Sequence, residues 1–129
     1  MQFKFEREVD NDFVHAIFVT MCEPGAIEYW ANPDLDRHDE FKTFDGEHII
    51  EVRISIDDEP VPGFNRQQTI DGSIVHAGIE RLLTGAVEID ADRLGRLLRA
   101  ILDNDASEVD GDLVDSIVQA GLFNDHVFG

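Results

Sequence analysis

His15 and Cys22 are the first side chains along this chain that could share a metal ion, and their spacing works against it. Both fall on one side of a helical stretch, but seven residues rise about 10.5 Å along a helix, too far to ligate one ion together. Asp34, Asp36, His38 and Glu40 alternate as ligands do at the start of an EF-hand loop. That loop needs Gly at its sixth position and Glu at its twelfth, where this chain has Asp39 and Asp45, so the stretch reads as a solvated acidic loop. His76 precedes Glu80 by four residues opposite an apolar stripe, the spacing of a surface pair rather than of a general base. Ser73 lies one turn from His76, with no glycine-framed nucleophile turn around it. Gly85 and Gly95 stand alone, outside any phosphate-cradling pattern. The residue types therefore predict no catalytic residue, no cofactor site and no metal site, and hence a protein that is not an enzyme.

Binding is the chemistry left, and two features carry it. Aromatic side chains are the first: Trp30, in Ala26-Ile27-Glu28-Tyr29-Trp30-Ala31, and Phe64, in a Pro-Gly loop beside Arg66. If Ile27, Tyr29 and Ala31 face a core, strand alternation turns Trp30 to the opposite sheet face beside Glu28. There it is either covered by a helix, as Trp commonly is, or serves as an interface anchor. Charge is the second feature. Asp103, Asp105, Glu108, Asp110, Asp112 and Asp115 follow one another with no base among them. Asp110, Asp112 and Asp115 sit at a predicted helix start, where negative charge meets the dipole. Asp103, Asp105 and Glu108 have no such role and are the candidate partner-binding acids, with Trp30 and Phe64 as candidate anchors.

The elements that must position these residues follow from periodicity. Residues 2–9 alternate as a half-buried strand, with Phe3, Phe5 and Val9 on one face. Asp10 to Asp12 offer N-cap oxygens to a helix over about residues 12–23, stopped by Glu23-Pro24-Gly25. Residues 26–31 read as a second strand. Residues 40–44 and 47–56 flank Asp45-Gly46, a linker that favours a type I′ hairpin, with Ile50, Val52, Ile54 and Ile56 pointing at the helices. Residues 57–68 form a loop. Three consecutive helices follow, capped by Thr69, Asp90 and Asp110, with apolar stripes Ile70–Leu83, Leu94–Leu102 and Leu113–Val118. The C-terminal residues Leu122, Phe123, Val127 and Phe128 are too apolar for a frayed end and should dock. The expected fold class is α+β: one domain over residues 1–129, with a small, mostly antiparallel sheet of about four strands packed by about four helices.

Three segments together resemble a family of small bacteriophage proteins with no assigned activity: Ala26–Ala31, Ala77-Gly78-Ile79-Glu80-Arg81-Leu82-Leu83, and the ending from Asp112 to Gly129. The resemblance is most specific in that ending. It implies a viral or prophage origin and an accessory role in a host cytoplasm, and it carries over no catalytic residue.

Composition bounds the function. The 129 residues carry 28 acids against 10 bases, a net charge of −18 that repels nucleic acid and anionic membranes. One cysteine excludes an internal disulfide framework, and the lack of a signal-like or membrane-spanning run points to a reducing cytosol. The leading expectation is a non-enzymatic accessory protein that binds a host protein with a basic surface, such as a nucleic-acid-binding defence factor, by charge mimicry. A nucleotide-binding protein is the alternative, with Arg93, Arg96 and Arg99 as the only candidate basic cluster. Asp92 before Arg96 and Asp103 after Arg99 are placed to pair with them instead. A third reading makes the acidity a halophilic or solubility device. No cofactor is expected.

Overall fold

The computed structural model describes residues 10–32 and 42–129. The expected strand over residues 2–9 and the acidic loop at residues 34–40 lie outside the described residues.

Helix α1 (Asn11–Met21) begins where the Asp10 carboxylate accepts from the Phe13 amide at 2.9 Å, and it buries Phe13, Val14, Ile17, Phe18 and Met21. A strand does not follow. Gly25 takes a φ of 88°, and the amides of Trp30 and Ala31 both turn back to the Ile27 carbonyl. The curl puts Ile27, Trp30 and Ala31 in the core at helix-like spacing and leaves Tyr29 half exposed. Trp30 thus points inward, against the alternation expected for an extended segment. Only β1 (Ala31–Asn32) pairs as a strand.

Strand β2 (Lys42–Asp45) and strand β3 (His48–Ile56) pair antiparallel, with Asp45 opposite His48 and Gly46-Glu47 between them. A type I′ turn needs positive φ at both linking residues. Among the two only Gly46 has it, at 61°, so the expected turn type does not form. The register then slips: Thr43 faces Glu51 but Phe44 faces Ile49, leaving Ile50 as the extra residue of a bulge. The slip moves Ile49 into the core with Val52, Ile54 and Ile56 and turns Ile50 outward, correcting the expected inward face by one side chain.

Strand β4 (Gln67–Asp71) lines the other side of β3, running antiparallel to it. Ser55 pairs with both β1 and β4, and Val52 with both β2 and β4, so β1 and β2 share one flank of a sheet that is three strands wide. The stretch from Gln67 to Asp71 was expected to be loop and helix start. Instead Ile70 is a buried strand residue, and Asp71, not Thr69, caps helix α2 (Gly72–Leu83) by accepting from the Ile74 amide.

Helix α3 (Ala91–Asp103) is capped by Asp90, and helix α4 (Gly111–Phe123) by Asp110, as the sequence predicts. A single 3-10 turn, Ala106–Glu108, joins them. Helix α4 is buried on every side from Leu113 to Ala120. It packs against α2 with almost no gap: a Cβ added to Gly78 would lie 2.0 Å from the Ile117 carbonyl oxygen, and one added to Gly121 would lie 2.1 Å from that of Ile74. Arg81 reaches from α2 to donate to the Ala120 and Gly121 carbonyls at the end of α4, where Ala120 also accepts from the Asn124 amide. The architecture is α+β, with helices and a small antiparallel sheet around one hydrophobic cluster.

Candidate functional site

The five candidate binding residues go to two places. Trp30 and Phe64 enter an aromatic cluster with Phe123 and Phe128, while Asp103, Asp105 and Glu108 stay on the surface around the end of α3.

In the aromatic cluster Trp30 is 2% exposed, so it is a core residue. Its ring stacks on Phe128 at 5.1 Å with the planes 9° apart, and Phe123 closes the side at 5.7 Å. Phe64 is half-buried, with its ring 5.5 Å from that of Phe123. The indole N–H of Trp30 donates to Asp115 Oδ1 at 2.7 Å, the Tyr29 hydroxyl donates to Oδ2, and the Gln119 side-chain amide donates to Oδ1 at 2.9 Å. Asp115 is 7% exposed and Gln119 fully buried. Asp115 therefore does not belong with the solvated acids of the run; its charge is held by three donors inside the protein, as a buried polar group requires. Burial, and then the Asp115 carboxylate against it, push the Tyr29 phenol up to about 12.

Gln119 also holds the C-terminal segment. Its Oε1 accepts from the amides of Val127 and Phe128 at 2.9 and 2.7 Å, and its Nε2 donates to the Phe128 carbonyl at 3.0 Å. The segment is docked through Phe128, with Val127 outward. The sequence places Tyr29 in a strand, Asp115 among the helix-start acids and Phe128 in a docked end, but it gives Gln119 no role and does not show that the four meet. The available signal was a polar pair four residues apart inside an apolar helix, a spacing that puts both side chains on one face.

On the other side, a groove of about 540 Å³ runs between α1 and residues 104–107. Asp12, His15 and Val19 line one wall, and Asn104, Asp105 and Ser107 the other. His15 accepts from the Ile49 amide through Nδ1, and His48 pairs with Asp12. Asp105 and Ser107 also border a second hollow of about 210 Å³, shared with Arg99, Asp103 and Glu108. Two of the three candidate acids have structural roles that the sequence reading denied them. Asp105 accepts from the Ser107 amide and caps the 3-10 turn, and those bonds hold its carboxyl below the usual range. Glu108 lies 3.8 Å from Arg99. Asp103 is exposed at the last residue of α3.

The arginine cluster is engaged with acids. Arg93 meets Asp90 at 3.3 Å, and Arg96 meets Asp92 at 3.2 Å and Asp110 at 2.8 Å. Burial pushes the Asp110 carboxyl up, but the Arg96 contact and the Leu113 amide outweigh it and hold the group below its ordinary value. Arg99 turns to Glu108 rather than to Asp103. Ser73 donates to the Asp71 carboxylate at 2.6 Å, in the cap and not toward His76. Among the described residues, no group of three His, Cys, Asp or Glu side chains is placed to hold a metal ion, and no helix is long and apolar enough to cross a membrane.

No protein-family model, curated protein or solved structure matches the chain.

Proposed function

We propose that this chain is a non-enzymatic accessory protein of phage type that binds a host protein through a basic surface laid on the rim formed by Asp103, Asp105 and Glu108. The observation that carries this reading is the convergence of those acids on one hollow, with Asp105 also walling the α1 groove opposite Asp12. Oriented carboxylates on a concave wall focus the field of a chain already at −18 and steer a positive partner toward it. Charge mimicry of nucleic acid at this rim, and a host-cytoplasmic setting, belong to the same proposal. The resemblance of the Ala26–Ala31, Ala77–Leu83 and Asp112–Gly129 segments to small bacteriophage proteins supports it. Arg93, Arg96 and Arg99, the candidate cluster of the nucleotide-binding alternative, each face a carboxylate, which favours the first reading over it.

The test is association kinetics of a captured partner across a salt series, with Asp103→Asn, Asp105→Asn and Glu108→Gln combined. Asn caps about as well as Asp, so Asp105→Asn spares the 3-10 turn. The on-rate should fall about tenfold or more at low salt, with the off-rate changing less. Equal on-rates for parent and variant at every salt concentration would sink the proposal.

A further inference from the structure

The segment from Asn124 to Gly129 sits on the protein as a ligand sits in a site. It has no helix or strand, its residues 124–127 and 129 are exposed, and it is held by the half-buried Phe128 and the Val127 amide. The groups that hold it recognise features any extended aromatic peptide offers. Both ends of the Gln119 carboxamide are spent on one dipeptide, accepting from the Val127 and Phe128 amides and donating to the Phe128 carbonyl, as a neighbouring strand would. The Trp30 face takes the phenyl ring in a parallel stack, and Phe123 bounds it edge-on at 5.8 Å.

The receptor has a hold of its own, apart from its occupant. Trp30, Tyr29 and Gln119 are all oriented by hydrogen bonds to Asp115, which lies on α4 and not in the segment. If the segment leaves, the stacking face and the amide fork stay in place, so the site is preorganised for whatever returns. The hinge is at hand: Asn124 takes a left-handed φ of 55° at the end of α4, and no side chain from Asn124 to Val127 is buried. Those four residues span about 13 Å when extended, at roughly 3.3 Å each.

We propose that this clasp is exchangeable between chains: the Trp30–Gln119 receptor of one copy takes the Phe128 segment of a second copy, and the exchange is reciprocal. The second copy is the occupant the molecule itself argues for, because its segment is the sequence already seen to fit. Reciprocal exchange closes with two-fold symmetry, each receptor filled once. This association uses neither the acidic rim nor its partner and stands or falls apart from them.

Complementation tests it. Phe128→Ala leaves the receptor intact and removes the ring that fills it; Gln119→Ala leaves the segment intact and removes the fork. Each variant alone should sediment as a monomer, and an equimolar mixture should give a one-to-one heterodimer of doubled mass, joined at the single intact pair of Phe128→Ala receptor and Gln119→Ala segment. The peptide Asn-Asp-His-Val-Phe-Gly added to the Phe128→Ala chain should shift the emission of Trp30, the only tryptophan, in a saturable way. The same peptide with Ala for Phe should not. If Phe128→Ala loses the parent's helical circular dichroism, Phe128→Leu replaces it, filling the volume without a stacking face. A mixture that stays monomeric overturns the exchange, whether or not the free peptide binds.

Discussion

The clasp around Asp115 and the rim around Asp105 both offer a carboxylate to hydrogen-bond donors, on opposite terms. In the clasp the donors come from Trp30 and Tyr29, 85 and 86 residues away in sequence, and the carboxylate is buried. On the rim the donor is the Ser107 amide two residues on, and the carboxylate stays in water. A buried, long-range bond can form only when the whole fold has formed, so breaking it leaves desolvated partners behind and costs the fold. An exposed, local bond is replaced by water at little cost, and the charge remains available to a partner. The same chemical group therefore belongs to the folded core in one place and to the solvated surface, where the proposed partner would meet it, in the other.

Trp30→Ala gives the largest expected effect. Truncating a fully buried Trp costs about 3–5 kcal/mol, to be read as a lowered urea midpoint. A variant of unchanged stability that only releases a partner faster would return Trp30 to the role of surface anchor. Asp115→Ala comes next, at about 2–3 kcal/mol, because it strands the Trp30 indole N–H inside the protein. At the start of α3, Asp90→Ala should cost about 1 kcal/mol as a lost N-cap, while at its other end, on the rim, Asp103→Asn should change the unfolding free energy by no more than about 0.5 kcal/mol. Equal costs for those two would erase the difference between capping acids and rim acids.

The smallest effect is in the titration of Tyr29, the single tyrosine. Its phenol should ionise at about 12 in the folded protein, against about 10 in the unfolded chain. The folded state holds this proton more tightly, so its contribution to stability is complete below about pH 10 and is lost as pH rises from there toward 12. Ultraviolet absorbance of the phenolate, in the parent and in Asp115→Asn, measures it. A midpoint near 10 in the parent would show that the clasp is open to solvent.

What was legible in the sequence was local. Asp90 and Asp110 announced their helices because an N-cap needs only a carboxylate and the next amides, and the apolar stripes of α3 and α4 follow from spacing alone. Three readings failed where a tertiary contact overrode local preference. Ala26–Ala31 has strand-forming residues but curls to bury Trp30. Thr69-Ile70 gave way to β4 because β3 offered a ladder to pair with. The bulge at Ile50 traded one inward side chain for its neighbour. Of the candidate site, the exposed acids kept their place, whereas the network on Asp115 and Gln119 needed knowledge of which distant residues meet. Ala26–Ala31 and Ala77–Leu83 each meet the C-terminal stretch: Trp30 reaches Asp115 and Phe128, and Gly78 lies against Ile117.

The crossing of α2 and α4 at Gly78 and Gly121 restricts what this chain can become by mutation. Every other amino acid carries a Cβ, and at either position that atom would sit within 2.1 Å of a carbonyl oxygen of the facing helix. No single substitution at Gly78 is relieved by a second one at Ile117, because the obstacle is backbone and the same for all residue types. The two sites are thus closed to compensatory drift, while Leu98, on the exposed face of α3, has room for other side chains. Among descendants of this sequence, the glycines should be the last letters to change, and a line that loses one must first move the helices apart.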